Sequence, residues 1–104
     1  MKYKINLTEQ ADADLRNIYE YIAFTLLEPD IAAGQLERIE KGILGLVEMP
    51  ERFCMFKKEP WFSRGFRQMP VDNFIVFYIP KTVNNTVNVI RVMYGERDID
   101  DQFK

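Results

Sequence analysis

Five residues in the second half of the chain could together act on a phosphate group. Arginines stabilise phosphates through charge-assisted hydrogen bonds, and a phenol or a carboxylate can carry a proton. A phenol with its usual pKa of about 10 is a poor general base unless a cation lies beside it. The candidates are Arg67, Arg91, Tyr94, Glu96 and Arg97.

Arg91 is the most informative candidate because it lies within an apolar strand pattern. A buried guanidinium is costly alone, so Arg91 is expected to pair with Glu96, Asp98 or another acid, or to reach an open sheet face. Pairing within residues 95–98 is also the simpler interpretation of Glu96. We expect Tyr78 and Tyr94 to pack with their hydroxyls at a wet edge.

Composition excludes several classes of enzyme. The 104 residues include no histidine, which removes the commonest metal ligand and argues against zinc hydrolases and Ser-His-Asp enzymes. The single cysteine, Cys54, cannot form an intrachain disulfide or a cysteine metal cluster, and we expect it to be an inert buried thiol. We therefore predict no cofactor and no metal, and a cytoplasmic location.

Length and charge fit one domain over residues 1–104. Fourteen basic and sixteen acidic residues give a formal charge of −2, so any nucleic-acid site must be local. No apolar run is long enough to cross a membrane, and the N-terminus lacks the apolar core of a signal peptide.

The elements that must position these residues follow from hydrophobic periodicity. Alternation over residues 3–7 predicts a strand, and Thr8 is a candidate cap for a helix whose apolar stripe runs from Ala11 to Leu26. Pro29 ends that helix and starts a second one, which ends at Met49-Pro50. Its interior glycines predict close packing against the first helix; they are Gly34, Gly42 and Gly45.

Three later segments, residues 65–71, 74–79 and 87–94, are predicted strands. The order β-α-α-β-β-β predicts an α+β fold in which a helix hairpin covers one face of a mainly antiparallel four-stranded sheet. The other face is then expected to be open, and to carry any binding or catalytic surface.

The irregular segment before these strands mixes aromatic and basic residues. Aromatic side chains with arginine favour a protein-partner surface, although a base-stacking platform and simple closure of the core are the alternatives. The candidate partner-binding residues are Phe53, Phe56, Trp61, Phe62 and Arg64.

Taken together, these segments resemble the RelE/ParE superfamily of toxins from type II toxin-antitoxin systems. The resemblance covers nearly the whole chain: the opening strand, the helix pattern of residues 14–22, the break at Pro29 and the segments 64–71, 74–79 and 89–99. Its most specific element is the ending Arg-Val-x-x-Gly-x-Arg-Asp, here residues 91–98.

The resemblance implies a small toxin of a plasmid-stabilisation system that causes growth arrest and is neutralised by a cognate antitoxin covering an open surface. RelE-like members cleave messenger RNA in the ribosome without a metal, with basic residues and a tyrosine or histidine near the end. ParE-like members inhibit DNA gyrase instead. A homodimer or a toxin-antitoxin hetero-oligomer is compatible with either branch.

Three departures favour the ParE-like branch. The chain lacks histidine, its open sheet face is expected to carry few basic residues, and Tyr94 and Glu96 stand where many relatives have histidine and arginine. Gyrase inhibition is therefore the leading hypothesis. The alternatives are an mRNA endonuclease, with Arg67 and Arg91 on phosphate and Tyr94 or Glu96 as proton carrier, and an inactive remnant that only binds antitoxin.

Overall fold

The computed structural model describes residues 2–95. A strand, β1 (Lys4–Leu7), leads into helix α1 (Glu9–Glu20), a π-helical turn (Tyr21–Thr25) and helix α2 (Pro29–Gly45). A short 3-10 turn (Pro50–Arg52) and a long loop precede the strands β2 (Arg67–Val71), β3 (Phe74–Lys81) and β4 (Thr86–Tyr94). The predicted α+β order β-α-α-β-β-β is confirmed.

The four strands form one mixed sheet in the order β1-β4-β3-β2. β1 pairs parallel to β4, whereas the β4-β3 and β3-β2 pairs are antiparallel. A β-bulge between Phe77 and Tyr78 of β3, opposite Val89 to Arg91 of β4, interrupts the register. Bulges increase local twist and re-aim side chains, which here changes the faces that the residues of β4 occupy.

The main core lies between the helices and one face of the sheet. Strands contribute every second residue, including Val76, Tyr78 and Val89, and α2 contributes Ile39 and Ile43. The predicted cap is confirmed, since the Thr8 hydroxyl accepts the amide of Ala11 at 3.1 Å. The same hydroxyl donates to the Val89 carbonyl at 2.9 Å, so it ties the start of α1 to β4.

The expectation that the opposite face is open is wrong over its centre. Phe66, Phe77 and Met93 are buried there in a second core, against which Phe56 and Trp61 of the long loop pack. Strand alternation placed Phe77 and Met93 on this face, and aromatic residues of the loop remove them from water.

Two expectations about the helices are also corrected. α1 ends at Glu20, and the π-helical turn that follows rotates Leu26 out of the predicted apolar stripe, so that its side chain is exposed. Gly42 packs on the sheet rather than on α1: a Cβ there would lie 3.2 Å from the Met69 Cε and from a Val71 methyl.

Candidate functional site

Arg91 is held by an acid from the first helix. Asp14 of α1 accepts the Arg91 Nε at 2.7 Å through Oδ2 and the Arg91 Nη2 at 3.2 Å through Oδ1. Only 17% of the Arg91 side chain and 9% of the Asp14 side chain are exposed. Pairing with an acid is therefore confirmed, with Asp14 as a partner; Glu96 and Asp98 lie outside the described residues.

The same carboxylate also binds a backbone amide at the edge of β4. β1 pairs with β4 only as far as Val89, so within residues 2–95 no strand lies beside the amide of Val92 on that side. Asp14 Oδ2 accepts this amide at 2.9 Å, in a buried position. Asp14 thus satisfies a backbone donor and a guanidinium at once, which is a structural role.

Arg67 lies on β2 and holds the segment that follows α2. Its Nη1 donates to the carbonyls of Glu51 at 3.1 Å and Phe53 at 2.8 Å. The neighbouring Tyr78 is fully buried and its hydroxyl donates to the Pro50 carbonyl at 2.6 Å. The expectation that the Tyr78 hydroxyl lies at a wet edge is therefore wrong, because this carbonyl replaces water.

Burial raises the pKa of Tyr78 to about 12, although the cations of Arg67 and Arg52 act in the opposite direction. A phenol with so high a pKa is a weaker proton donor than an ordinary tyrosine near neutral pH. Tyr78 therefore adds no acid-base group to the candidate site.

The structure does not bring the candidate catalytic residues of its described part into one cluster. Arg67 and Arg91 lie on strands that flank β3, opposite Tyr78 and Phe77, so their backbones are about 10 Å apart. Their side chains bind different groups: Arg67 donates to the carbonyls of Glu51 and Phe53, and Arg91 donates to Asp14. Tyr94 is at the end of β4 with its ring 5.7 Å from that of Phe74. Glu96 and Arg97 fall outside the described residues.

The candidate partner-binding residues divide into buried and exposed groups. Phe53 packs against the main core, while Phe56 and Trp61 belong to the second core; all three are half-buried. Phe62 and Arg64 are exposed, and the Arg64 guanidinium lies 5.4 Å from the Trp61 ring centroid, within cation-π range. Part of the loop therefore closes the core and part presents an aromatic and cationic surface.

This loop is the basic part of the molecule. Residues 52–67 contain five arginines or lysines and one acid, although the whole chain carries a net −2; the cations are Arg52, Lys57, Lys58, Arg64 and Arg67. A surface of this sign attracts acidic segments.

Comparison with known protein families shows which family this chain belongs to. The sequence pattern of one family, described as the ParE toxin of the type II toxin-antitoxin system parDE, matches residues 5–99. The chain belongs to this ParE toxin family. The expected resemblance to RelE/ParE toxins, and the role of toxin in a type II system, are thereby confirmed.

Solved structures share the ParE fold at low sequence identity. A structure of the chromosomal ParDE toxin-antitoxin system of P. aeruginosa has a TM-score of 0.74 at 20% identity and covers 91% of this chain and 98% of the other. For the toxin-antitoxin complex RelBE2 of Mycobacterium tuberculosis the TM-score is 0.64 at 20% identity, with 90% and 99% covered. For the isolated E. coli RelE toxin it is 0.62 at 17%, with 97% and 93% covered. No curated protein sequence matches significantly.

Sequence reasoning did not identify the shallow surface grooves of this ParE toxin, two of which lie beside β2 and between α1 and α2. One lies at the edge of β2, beside Cys54, Lys57 and Gln68. Here the Gln68 amide of β2 donates to the Cys54 carbonyl, and the Phe56 amide donates to the carbonyl of Phe66, the residue before β2. Cys54 is exposed there, so the expectation of a buried thiol is wrong: its backbone pairs at a sheet edge and leaves the side chain outside.

The other groove runs between α1 and α2 above β1. Its lining is half apolar and half charged: Leu7, Leu15, Tyr19 and Leu36, with Asp12, Arg16, Glu20 and Glu40. The only sequence signal for it is Tyr19, which widens the apolar stripe of α1. No helix within residues 2–95 of this ParE toxin has the length and hydropathy of a membrane span.

Proposed function

We propose that this toxin acts as a ParE-like inhibitor of DNA gyrase through protein contacts, without cleaving RNA. The observation that carries the proposal is the use of Arg67 and Arg91 in structural contacts. Arg67 holds backbone carbonyls, and Arg91 is bound by the buried Asp14. RNA cleavage needs charge stabilisation and proton transfer at one phosphate, whereas Arg67 and Arg91 donate to separate structural partners.

A supercoiling assay with purified gyrase tests the proposal directly. We expect the purified chain to inhibit supercoiling, and primer extension after its induction in cells to show no new messenger ends. New messenger ends together with unimpaired supercoiling would establish the mRNA endonuclease instead. A folded chain that gives neither effect and does not arrest growth would be an antitoxin-binding remnant.

We further propose that a cognate antitoxin binds the basic loop of residues 52–67. Support comes from the local positive charge and from the exposed Phe62 and Arg64, since aromatic residues and arginine are enriched at interface centres. The expected partner is a small acidic protein encoded by the neighbouring reading frame. Its interacting segment is expected to fold on binding.

Exposed residues give the sharper test of this surface. Phe56 and Trp61 belong to the second core, so their alanine variants would also lose packing. We expect Phe62→Ser and Arg64→Ala each to weaken the complex by more than about 1 kcal/mol if they are anchors, with unchanged thermal unfolding. The matched control is Val83→Ser, an exposed apolar residue in the turn between β3 and β4. Unchanged affinity in both loop variants would remove the loop as the binding centre.

A further inference from the structure

The turn between α1 and α2 exposes a group of large apolar side chains. Five such residues within positions 21–31 are between 50% and 76% exposed: Tyr21, Phe24, Leu26, Leu27 and Ile31. Single exposed apolar residues are ordinary, but several together mark an interaction site. These five residues form what we call the hairpin-tip patch. The candidate site described above uses none of them.

The backbone of this turn has unusual geometry that favours the exposure. The Leu26 amide donates to the Tyr21 carbonyl at 3.0 Å, which is a π-helical hydrogen bond. π-Helical turns are rare in proteins, and those that occur are often found at functional sites. Leu27 has φ of +58°. A leucine in this left-handed region is strained, because its Cβ approaches the backbone too closely, and glycine would avoid that strain. The chain therefore keeps an exposed apolar side chain at a position where glycine is the unstrained choice.

The charge around the hairpin-tip patch limits what can cover it. Glu20, Glu28 and Asp30 flank the patch, and no lysine or arginine occurs between Arg16 and Arg38. Nucleic acid and anionic lipid surfaces are repelled by such a rim. A second copy, related by a two-fold axis, would oppose the same acids to one another. Residues 96–104 carry more acids than bases and are disfavoured for the same reason.

We propose that the hairpin-tip patch binds a basic amphipathic segment of a partner protein. The apolar side of that segment would cover Phe24 and Leu27, and its lysines or arginines would lie beside Glu20 and Glu28. The patch is at the start of α2, whereas the basic loop follows the end of α2. Since α2 has 17 residues, the two surfaces are about 25 Å apart along it. The proposal therefore does not rest on gyrase inhibition or on the position of the antitoxin.

The test uses two synthetic amphipathic helical peptides with the same leucine face and a polar face of either lysine or glutamate. Each is titrated into the ¹⁵N-labelled full chain, and amide shifts are followed. We expect the lysine peptide to shift the amides of residues 20–31, to bind about tenfold tighter than the glutamate peptide, and to weaken as salt is raised.

The decisive variant is Leu27→Gly, which removes the side chain and suits the left-handed backbone, so the fold is kept. It is expected to weaken the lysine peptide about tenfold, whereas Val83→Ser, at a side chain 98% exposed elsewhere, leaves affinity unchanged. Absence of binding, shifts confined to other residues, or equal affinity for both peptides would overturn the proposal. So would concentration-dependent dimerisation that Phe24→Ser abolishes, because a second copy would then be the occupant.

Discussion

Replacing Asp14 by alanine is expected to destabilise the protein far more than replacing any exposed charge. Asp14 accepts the Arg91 guanidinium and the buried amide of Val92. Removing one partner of a buried ion pair costs about 3–5 kcal/mol. An unsatisfied buried amide alone accounts for about 1–3 kcal/mol of such a loss. The total stability of a domain is roughly 5–15 kcal/mol, so Asp14→Ala removes a large part of it.

Urea denaturation followed by circular dichroism measures this change, with thermal unfolding as a second readout. A loss of 3–5 kcal/mol corresponds to a fall in Tm of at least about 12 °C for a domain of this size. The control is Arg16→Ala on the same helix, which breaks an exposed pair with Asp12 at 3.6 Å and is expected to cost less than about 0.5 kcal/mol.

A double-mutant cycle separates the structural role of Arg91 from a catalytic one. If Arg91 is structural, the Asp14→Ala/Arg91→Ala protein is destabilised by clearly less than the sum of the single variants, because the two residues share one interaction. Additive losses, or an Asp14→Ala protein within about 1 kcal/mol of the parent, would refute this role and return Arg91 to the candidate phosphate site.

Three further predictions concern single side chains. Because the pKa of Tyr78 is raised to about 12, its contribution to stability is retained below the unfolded pKa of 10.0 and falls as pH rises toward about 12. Urea titrations should show that the Tyr78→Phe protein loses less stability over that pH range. An identical pH dependence in both proteins would contradict the raised pKa. Gly34→Ala, whose added Cβ would lie 3.4 Å from the Arg38 side chain, should stabilise the protein by about 0.5–1 kcal/mol. Gly42→Ala should not, because its Cβ would lie 3.2 Å from Met69 and Val71. Equal gains in both variants would contradict the close packing of Gly42 on the sheet. The exposed Cys54 should react with a thiol reagent in the native state as fast as in urea, and strong native protection would show that it is buried.

The elements of the fold could be predicted because their signals are local. The Thr8 cap, the start of α2 at Pro29 and the existence of the four strands depend on neighbours within a few residues, and the structure confirms all three. The end of α1 could not be predicted, because its apolar stripe continues through Leu26 in sequence while a π-helical turn changes the rotation per residue.

The environment of the candidate site could be predicted only in part, because its contacts join distant residues. The sequence indicated that Arg91 needs an acid, but not that the acid is Asp14, since nothing in a strand pattern reports how far β1 extends along β4. The same limit applies to the loop, where core closure and partner binding require the same residue types. Phe56 and Phe62 have identical side chains, and only the approach of Phe56 to the Phe77 ring, at 5.3 Å, assigns one to the second core and leaves the other exposed. Binding assays on Phe62 therefore test function, whereas those on Phe56 also test folding.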